Sequence, residues 1–101
     1  MDKKSGGSGL PVSPPKTPKG PSVGKVGEKL TFVTEGSDPL NVHEYQYDWG
    51  DGTAWKWVRK GEKQSHVYSR PGTFSVRARE KCPWNAFVTD WSKARVVAIS
   101  G

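Results

Sequence analysis

The sequence has a single cysteine, very few leucines and isoleucines, and no long hydrophobic run. Because Cys82 has no partner cysteine, a disulfide within the chain is excluded. No apolar stretch approaches the roughly 20 residues that a membrane-spanning helix needs, so no membrane insertion is expected. No apolar segment follows Lys3 and Lys4 as it would in a secretory signal. If the parent protein is secreted, we therefore expect this chain to be one piece of it.

Aliphatic residues are also scarce, and what replaces them is aromatic. Leu, Ile, Val and Phe total 18 of 101 residues and the formal net charge is +6, a combination close to that of disordered chains. All eleven aromatic residues, including five tryptophans, lie between Phe32 and Trp91, whereas residues 1–21 hold five prolines and four glycines. The sequence therefore predicts a flexible Pro/Gly/Lys-rich tail or linker over residues 1–21 and one domain over residues 22–101.

The charge is spread evenly and forms no dense basic cluster. The tail and the domain each carry a net charge of +3, and no run of lysine or arginine exceeds two residues. This pattern is typical of a mixed solvated surface, with weak attraction to nucleic acid or acidic polymers as the alternative, and we expect no nucleic-acid partner. We also expect the domain to be a monomer.

Alternating hydrophobicity predicts β-strands along the whole domain. Tyr45, Tyr47 and Trp49 would share one face of a strand, and residues 73–79 give the clearest alternation, with a polar outer face. A sheet with one face in water favours antiparallel pairing. Six or seven short strands at roughly ten-residue spacing predict an all-β sandwich of about seven antiparallel strands.

Two turn clusters separate these strands. Gly50 and Gly52 supply the positive φ angles of a tight reversal, and Asp48 and Asp51 are expected to accept hydrogen bonds from its backbone amides. Pro71-Gly72 sets a second turn before the long strand. His66 and Tyr68 are expected to bond to the first turn or to pack beside it. Tyr47 and Trp49 should fill the centre of the sandwich, with Trp91 in or near the core.

Three segments resemble signatures of the polycystic-kidney-disease (PKD) domain. Residues 45–53, YQYDWGDGT, resemble W/Y-x-F/W-G-D-G-S/T, and residues 66–76, HVYSRPGTFSV, resemble H-x-Y-x-x-P-G-x-Y/F-x-V. Trp91-Ser92 with Val97 and Ile99 resembles the closing strand of prokaryotic members. The match runs from about Pro18 to Ser100, and its structural signature comprises Tyr47, Asp48, Trp49, Gly50, Asp51, Gly52, His66, Tyr68, Pro71, Gly72 and Trp91.

This resemblance implies an immunoglobulin-like sandwich that serves as a module of a larger secreted or cell-surface protein. Such modules occur in secreted proteases, chitinases, cellulases and surface-layer proteins. They are thought to act as spacers or in protein–protein and protein–carbohydrate contact. The implied location is extracellular, and the implied partners are neighbouring modules, a polysaccharide or an extracellular protein.

The chain departs from the family pattern in its acidic loop and in its closing strand. Related domains often have D-P-D-G-D after the second strand, whereas this chain has a single carboxylate there, Asp38. Calcium is coordinated by six to eight oxygen ligands, so Asp38, Asn41 and Asp48 would form at best a weak calcium site. We therefore expect no cofactor. Arg95 occupies a usually apolar position and is expected to mark a sheet edge.

The residues that catalysis would need are few and scattered. His43, His66 and Cys82 have no metal-site spacing and no nucleophile motif. Asp48 and Asp51 resemble a carboxylate pair for acid–base chemistry, but a D-G turn explains them better. The chain is therefore not expected to be an enzyme.

Tryptophans beyond those that the sandwich needs are the main functional signal. Trp55, Trp57, Trp84 and Phe87, if exposed, would form an aromatic surface that stacks sugars or anchors a protein, aided by nearby basic residues. The alternative is that Trp55 or Trp57 packs over the sandwich edge. The sequence thus favours a non-catalytic spacer or interaction module, with a carbohydrate-binding module or a weak calcium-binding module as alternatives.

Overall fold

The computed structural model describes residues 14–34, 44–53, 56–59, 62–81 and 87–101, and within these ranges every regular element is a β-strand. No helix in this part of the chain is long and apolar enough to cross a membrane. The seven strands are β1 (Val23–Lys25), β2 (Lys29–Phe32), β3 (Glu44–Asp48), β4 (Trp57–Arg59), β5 (Gln64–Val67), β6 (Gly72–Lys81) and β7 (Arg95–Ser100).

The strands form two sheets that enclose the core. One sheet has five strands in the order β1-β7-β6-β3-β4, and the other pairs β2 with β5. The ten-residue strand β6 lies in the middle of the larger sheet, antiparallel to β3 on one side and to β7 on the other. The predicted all-β, immunoglobulin-like sandwich of about seven strands is confirmed.

Aromatic rings from both sheets and from the turns fill the core. Trp49 is 8% exposed and stacks on Tyr47 at 5.1 Å between ring centroids, while Phe32 of the smaller sheet contacts Trp49 at 5.5 Å. Tyr68 stacks on Phe74 at 4.4 Å. These large rings supply the buried apolar area that the scarce leucines and isoleucines do not provide.

The larger sheet differs from the predicted antiparallel pattern at one edge. The first strand, β1, runs parallel to β7, with Val23 opposite Ala98 and Lys25 opposite Ser100. The β1 pairing covers only Ala98–Ser100 of β7, so Arg95 pairs with β6 alone, and its position at a sheet edge stays a prediction. Arg95 begins this strand, and its Nε donates a 3.4 Å hydrogen bond to the Pro18 carbonyl.

Part of the predicted tail lies against the sandwich. Pro15 and Pro18 are buried, and the Thr34 hydroxyl donates a 2.7 Å hydrogen bond to the Lys16 carbonyl. Lys19 and Val33 exchange backbone hydrogen bonds of 2.7 and 3.0 Å. Residues 14–21 therefore contact the domain, and the flexible tail stays a prediction for residues 1–13, which lie outside the described ranges.

Candidate functional site

The G-D-G turn after β3 is held by two aspartates. Asp48 Oδ1 accepts a 2.9 Å hydrogen bond from the Gly50 amide. Asp51 Oδ1 accepts hydrogen bonds from the Thr53 amide at 3.1 Å and from the Thr53 hydroxyl at 2.7 Å. Short side chains that bond to the backbone two residues ahead fix a reversal of this kind.

Glycine is required at this turn because of its backbone and its surroundings. Gly50 and Gly52 have φ angles of 83° and 85°, as the sequence predicted. A Cβ atom at Gly50 would lie 2.7 Å from the Ser75 carbonyl oxygen, whereas a Cβ at Gly52 would meet nothing within 4 Å. The turn thus packs directly on β6 at Gly50 and is open at Gly52.

His66 and Tyr68 attach the second sheet to this turn. The His66 Nε2 atom lies 2.6 Å from Asp51 Oδ2, and the imidazole stacks on Trp49 at 4.7 Å. The Tyr68 hydroxyl donates a 2.7 Å hydrogen bond to the Trp49 carbonyl. Both contacts agree with the role that the sequence analysis gave these side chains.

Burial and hydrogen bonding shift the pKa of Asp51 in opposite directions. Burial alone would raise the pKa of Asp51, but the hydrogen bonds from His66 and Thr53 outweigh it and hold the pKa below its usual value. Burial raises the pKa of Tyr68 well above its usual value. Both side chains of the Asp51–His66 pair are largely covered, with 7% and 12% of their surface exposed. This pair is therefore built to hold the turn.

The outer face of the five-stranded sheet is different in character. On β6, Arg77, Arg79 and Lys81 alternate with buried residues, so their side chains lie on the face turned away from the core. Gln46 of β3 lies between Trp57 of β4 and Arg79 of β6 in the strand register. The Arg79 Nε donates a 2.8 Å hydrogen bond to Gln46 Oε1.

Two indoles and three cations contact one another across this face. The Lys81 Nζ lies 4.6 Å from the centroid of the Trp57 ring, and the Arg79 guanidinium lies 5.9 Å from the same ring. The Arg79 guanidinium also lies 4.5 Å from the centroid of the Trp91 ring, and the Arg77 guanidinium is 5.3 Å from the same centroid. We call these five residues the indole–cation band.

The sequence analysis placed Trp91 in or near the core, and this is wrong. Trp91 is half-buried on the outer face, where Arg77 and Arg79 contact its ring. The next residue, Ser92, points inward instead, and its hydroxyl accepts a 3.0 Å hydrogen bond from the Ala78 amide. Side chains alternate along an extended segment, so the buried Ser92 places Trp91 outside.

The four residues of the predicted aromatic surface are only partly described. Trp57 is half-buried on the outer face, and Phe87, with 37% of its surface exposed, follows β6. Val88 forms a bridge with Lys81, whose amine contacts the Trp57 ring. Trp55 and Trp84 lie outside the described residues.

The predicted candidates for metal binding and catalysis fall mainly outside the described ranges. Asp38, Asn41, His43 and Cys82 are among these residues. Asp48 is described, and both of its oxygens are engaged, one by the Gly50 amide and the other by Arg77 at 2.7 Å. Within the described ranges, no three His, Cys, Asp or Glu side chains come together as a metal site would require.

An open groove of about 490 Å³ adjoins the indole–cation band at Trp91. Pro14, Pro15 and Thr17 of the N-terminal segment form part of it, and its charged lining consists of Lys16 and Lys93. No sequence pattern indicated this groove, because it depends on the N-terminal segment lying against the sandwich.

Comparison with known proteins identifies the architecture. A family model described as "PKD domain" matches residues 9–81, which is more than half of the chain. The solved PKD domain of an M14-like peptidase from Thermoplasmatales archaeon SCGC AB-540-F20 is 32% identical, with a TM-score of 0.66, and the match covers 90% of this chain and 100% of that one. No curated protein matches the chain. Together with the G-D-G turn, the His66 and Tyr68 contacts and the sandwich topology, these matches show that the chain belongs to the PKD domain family.

Proposed function

We propose that this chain is a non-catalytic interaction module of a larger secreted or cell-surface protein, and that it binds polysaccharide through the outer face of its five-stranded sheet. The observation that carries the proposal is the pair of half-buried indoles, Trp57 and Trp91, on a sheet face that is turned away from the core. Indole rings on a solvent-facing platform provide the flat apolar area against which sugar rings pack.

The family supports the modular part of this proposal. PKD domains are typically extracellular, non-catalytic modules, and in the archaeal relative the domain is part of an M14-like peptidase. The signature residues Asp51, His66 and Tyr68 bond to one another's segments and hold the turn and the core. The outer face is not needed for these contacts, so it is the part of the domain that can serve a partner.

Affinity electrophoresis in gels that contain neutral or acidic polysaccharides tests this function. We expect the chain to be retarded by at least one polymer of the panel, and the Trp57→Ala variant to migrate as it does in a gel without polymer. Val67→Ala is the matched control, because Val67 is an exposed apolar residue on the other sheet.

The outcomes separate the binding module from the spacer. Retardation that is lost in Trp57→Ala and kept in Val67→Ala supports the proposed function. Unchanged migration of the wild-type chain across the whole panel contradicts it and favours a spacer role. Equal retardation of both variants would place the binding surface elsewhere on the domain.

A further inference from the structure

The indole–cation band carries several positive charges, which binding to a neutral sugar does not require. Arg77, Arg79 and Lys81 project from alternate positions of β6, and Arg59 of β4 lies opposite Glu44 in the same row of the sheet as Lys81. Among the described residues, four cations thus lie on this face within three adjacent strands.

Carboxylates are interspersed with these cations but are fewer. Asp48 Oδ2 accepts a 2.7 Å hydrogen bond from Arg77, and Glu44 Oε1 lies 3.6 Å from the Lys81 amine. Among the described residues, Glu62 adds a third carboxylate, whose Oε1 accepts a 3.0 Å hydrogen bond from the Arg59 amide, so four basic groups against three acidic ones leave a net positive charge. The charged residues that line the groove beside Trp91, within the part of the chain that the structure describes, are Lys16 and Lys93.

The cations of the band are held in place by the aromatic rings. The Arg79 guanidinium contacts both indoles, Arg77 lies over the Trp91 ring, and Lys81 lies over the Trp57 ring. Contacts of this kind restrict long side chains that otherwise lose considerable rotamer entropy on binding. The face therefore presents positive charge in a fixed arrangement next to half-buried ring surface.

We propose that the indole–cation band, continued by the groove at Trp91, binds acidic polysaccharides whose sugar rings carry carboxylates. This inference rests on the proposed function and names the ligand class of the same face. Guanidinium and ammonium groups would bind the uronate carboxylates. The partly exposed carboxylate of Glu44 supplies oxygen atoms that can accept hydrogen bonds from sugar hydroxyls.

A uronate chain fits this face better than a nucleic acid does. Sequence-independent binding to a nucleic acid comes almost entirely from lysine and arginine groups that neutralise the phosphate backbone. On this face Arg77 pairs with Asp48 and Lys81 lies near Glu44, so charges of both signs alternate and only a modest net positive charge faces a phosphate backbone. A polymer with one carboxylate per ring and many hydroxyls matches a mixed surface of this composition.

A matched pair of polymers tests the ligand class. Polygalacturonate and its fully methyl-esterified form have the same sugar backbone and differ only in charge. We expect the chain to bind polygalacturonate at least tenfold more tightly than the ester at low salt, measured by isothermal titration calorimetry. The affinity should fall as salt is raised, because screening weakens contacts between exposed charges.

A pair of double variants tests the location of the site. In Arg59→Gln/Lys81→Gln, two charges of this face are removed, and we expect the affinity for polygalacturonate to fall about tenfold, which corresponds to about 1.4 kcal/mol. The control, Lys29→Gln/Lys63→Gln, removes two exposed charges beside the smaller sheet and should bind within about twofold of wild type. Equal melting temperatures of both variants confirm that each is folded.

Each outcome supports or overturns a stated claim. Preference for the acid, with loss only in the outer-face variant, supports the inference. Equal binding of polygalacturonate and its ester overturns the acidic ligand class but leaves the proposed polysaccharide function standing. If neither polymer binds and no other polysaccharide of the panel binds, both the ligand class and the proposed function are overturned. A single-stranded oligothymidylate bound as tightly as polygalacturonate would show unselective attraction to polyanions and overturn the ligand class.

Discussion

The Tyr68 hydroxyl donates a 2.7 Å hydrogen bond to the carbonyl of Trp49, 19 positions earlier in the chain. Tyr68 is buried, and its ring stacks on Phe74 while His66 contacts it edge-on at 4.6 Å. The bond joins the end of β5, in the smaller sheet, to the turn that follows β3, in the larger one. One side chain thus connects the two sheets through both packing and a buried hydrogen bond.

Removing only this hydroxyl should destabilise the domain without changing its fold. Tyr68→Phe keeps the ring contacts but leaves the buried Trp49 carbonyl without its donor, which should cost about 1–3 kcal/mol. Urea unfolding monitored by tryptophan fluorescence measures the loss. Tyr45→Phe, also in the core, is a useful comparison for the general effect of deleting a buried hydroxyl. An unfolding free energy equal to that of wild type would contradict the structural role of the Tyr68–Trp49 bond.

The two turn glycines should respond differently to the same substitution. Gly50→Ala and Gly52→Ala both place a Cβ at a φ angle near 85°, which costs about 1–3 kcal/mol. Only the Cβ at residue 50 meets backbone atoms, at 2.7 and 2.9 Å in Ser75. We therefore expect Gly50→Ala to be clearly more destabilised in thermal unfolding. Equal melting temperatures of the two variants would show that the turn does not pack on β6 as described.

The Asp51–His66 contact should give the domain a defined sensitivity to acid. The pKa of Asp51 is lower in the folded chain than in the unfolded one, so its contribution is fully present above the unfolded pKa of about 3.9 and is lost as the pH falls through the lower, folded pKa. The stability difference between wild type and Asp51→Asn that comes from this carboxylate should thus have its full value above about pH 5 and shrink as the pH falls below about pH 4. Asp90→Asn, at an exposed position, is the control. A difference that does not change with pH would contradict this linkage.

Trp49 and Trp91 should differ strongly in their effect on stability. Trp49→Ala removes a ring from the centre of the core and should cost about 3–5 kcal/mol, enough to unfold a marginal domain. Trp91→Ala removes a half-buried ring from the outer face and should cost roughly 1–2 kcal/mol. Thermal unfolding of both variants checks this order. If Trp91→Ala were as unstable as Trp49→Ala, the position of Trp91 on the outer face would be contradicted.

Much of the fold could be predicted because its information is local. Alternation along residues 73–79 determines which side chains of β6 face the core, and the glycines at 50 and 52 mark a reversal by their backbone freedom alone. The roles of His66 and Tyr68 followed from the motif that contains them. Strand direction could not be obtained in this way, so the parallel pairing of Val23 with Ala98 was missed.

The outer face could be predicted only in part, because it depends on contacts between distant segments. Trp57 was identified as a surface candidate from its position in a short strand. Trp91 was placed in or near the core, since nothing local reveals that Arg77 and Arg79 contact its ring. The groove likewise depends on Lys16 approaching Lys93 across the length of the chain.

The most direct test of the binding face is an NMR titration of the ¹⁵N-labelled chain with oligogalacturonides. We predict that the indole Nε1–H signals of Trp57 and Trp91 and the amide signals of residues 77–81 shift with the ligand, while those around Asp51 and His66 stay in place. Shifts confined to the G-D-G turn or to the smaller sheet, or an unchanged spectrum at millimolar ligand, would contradict the account.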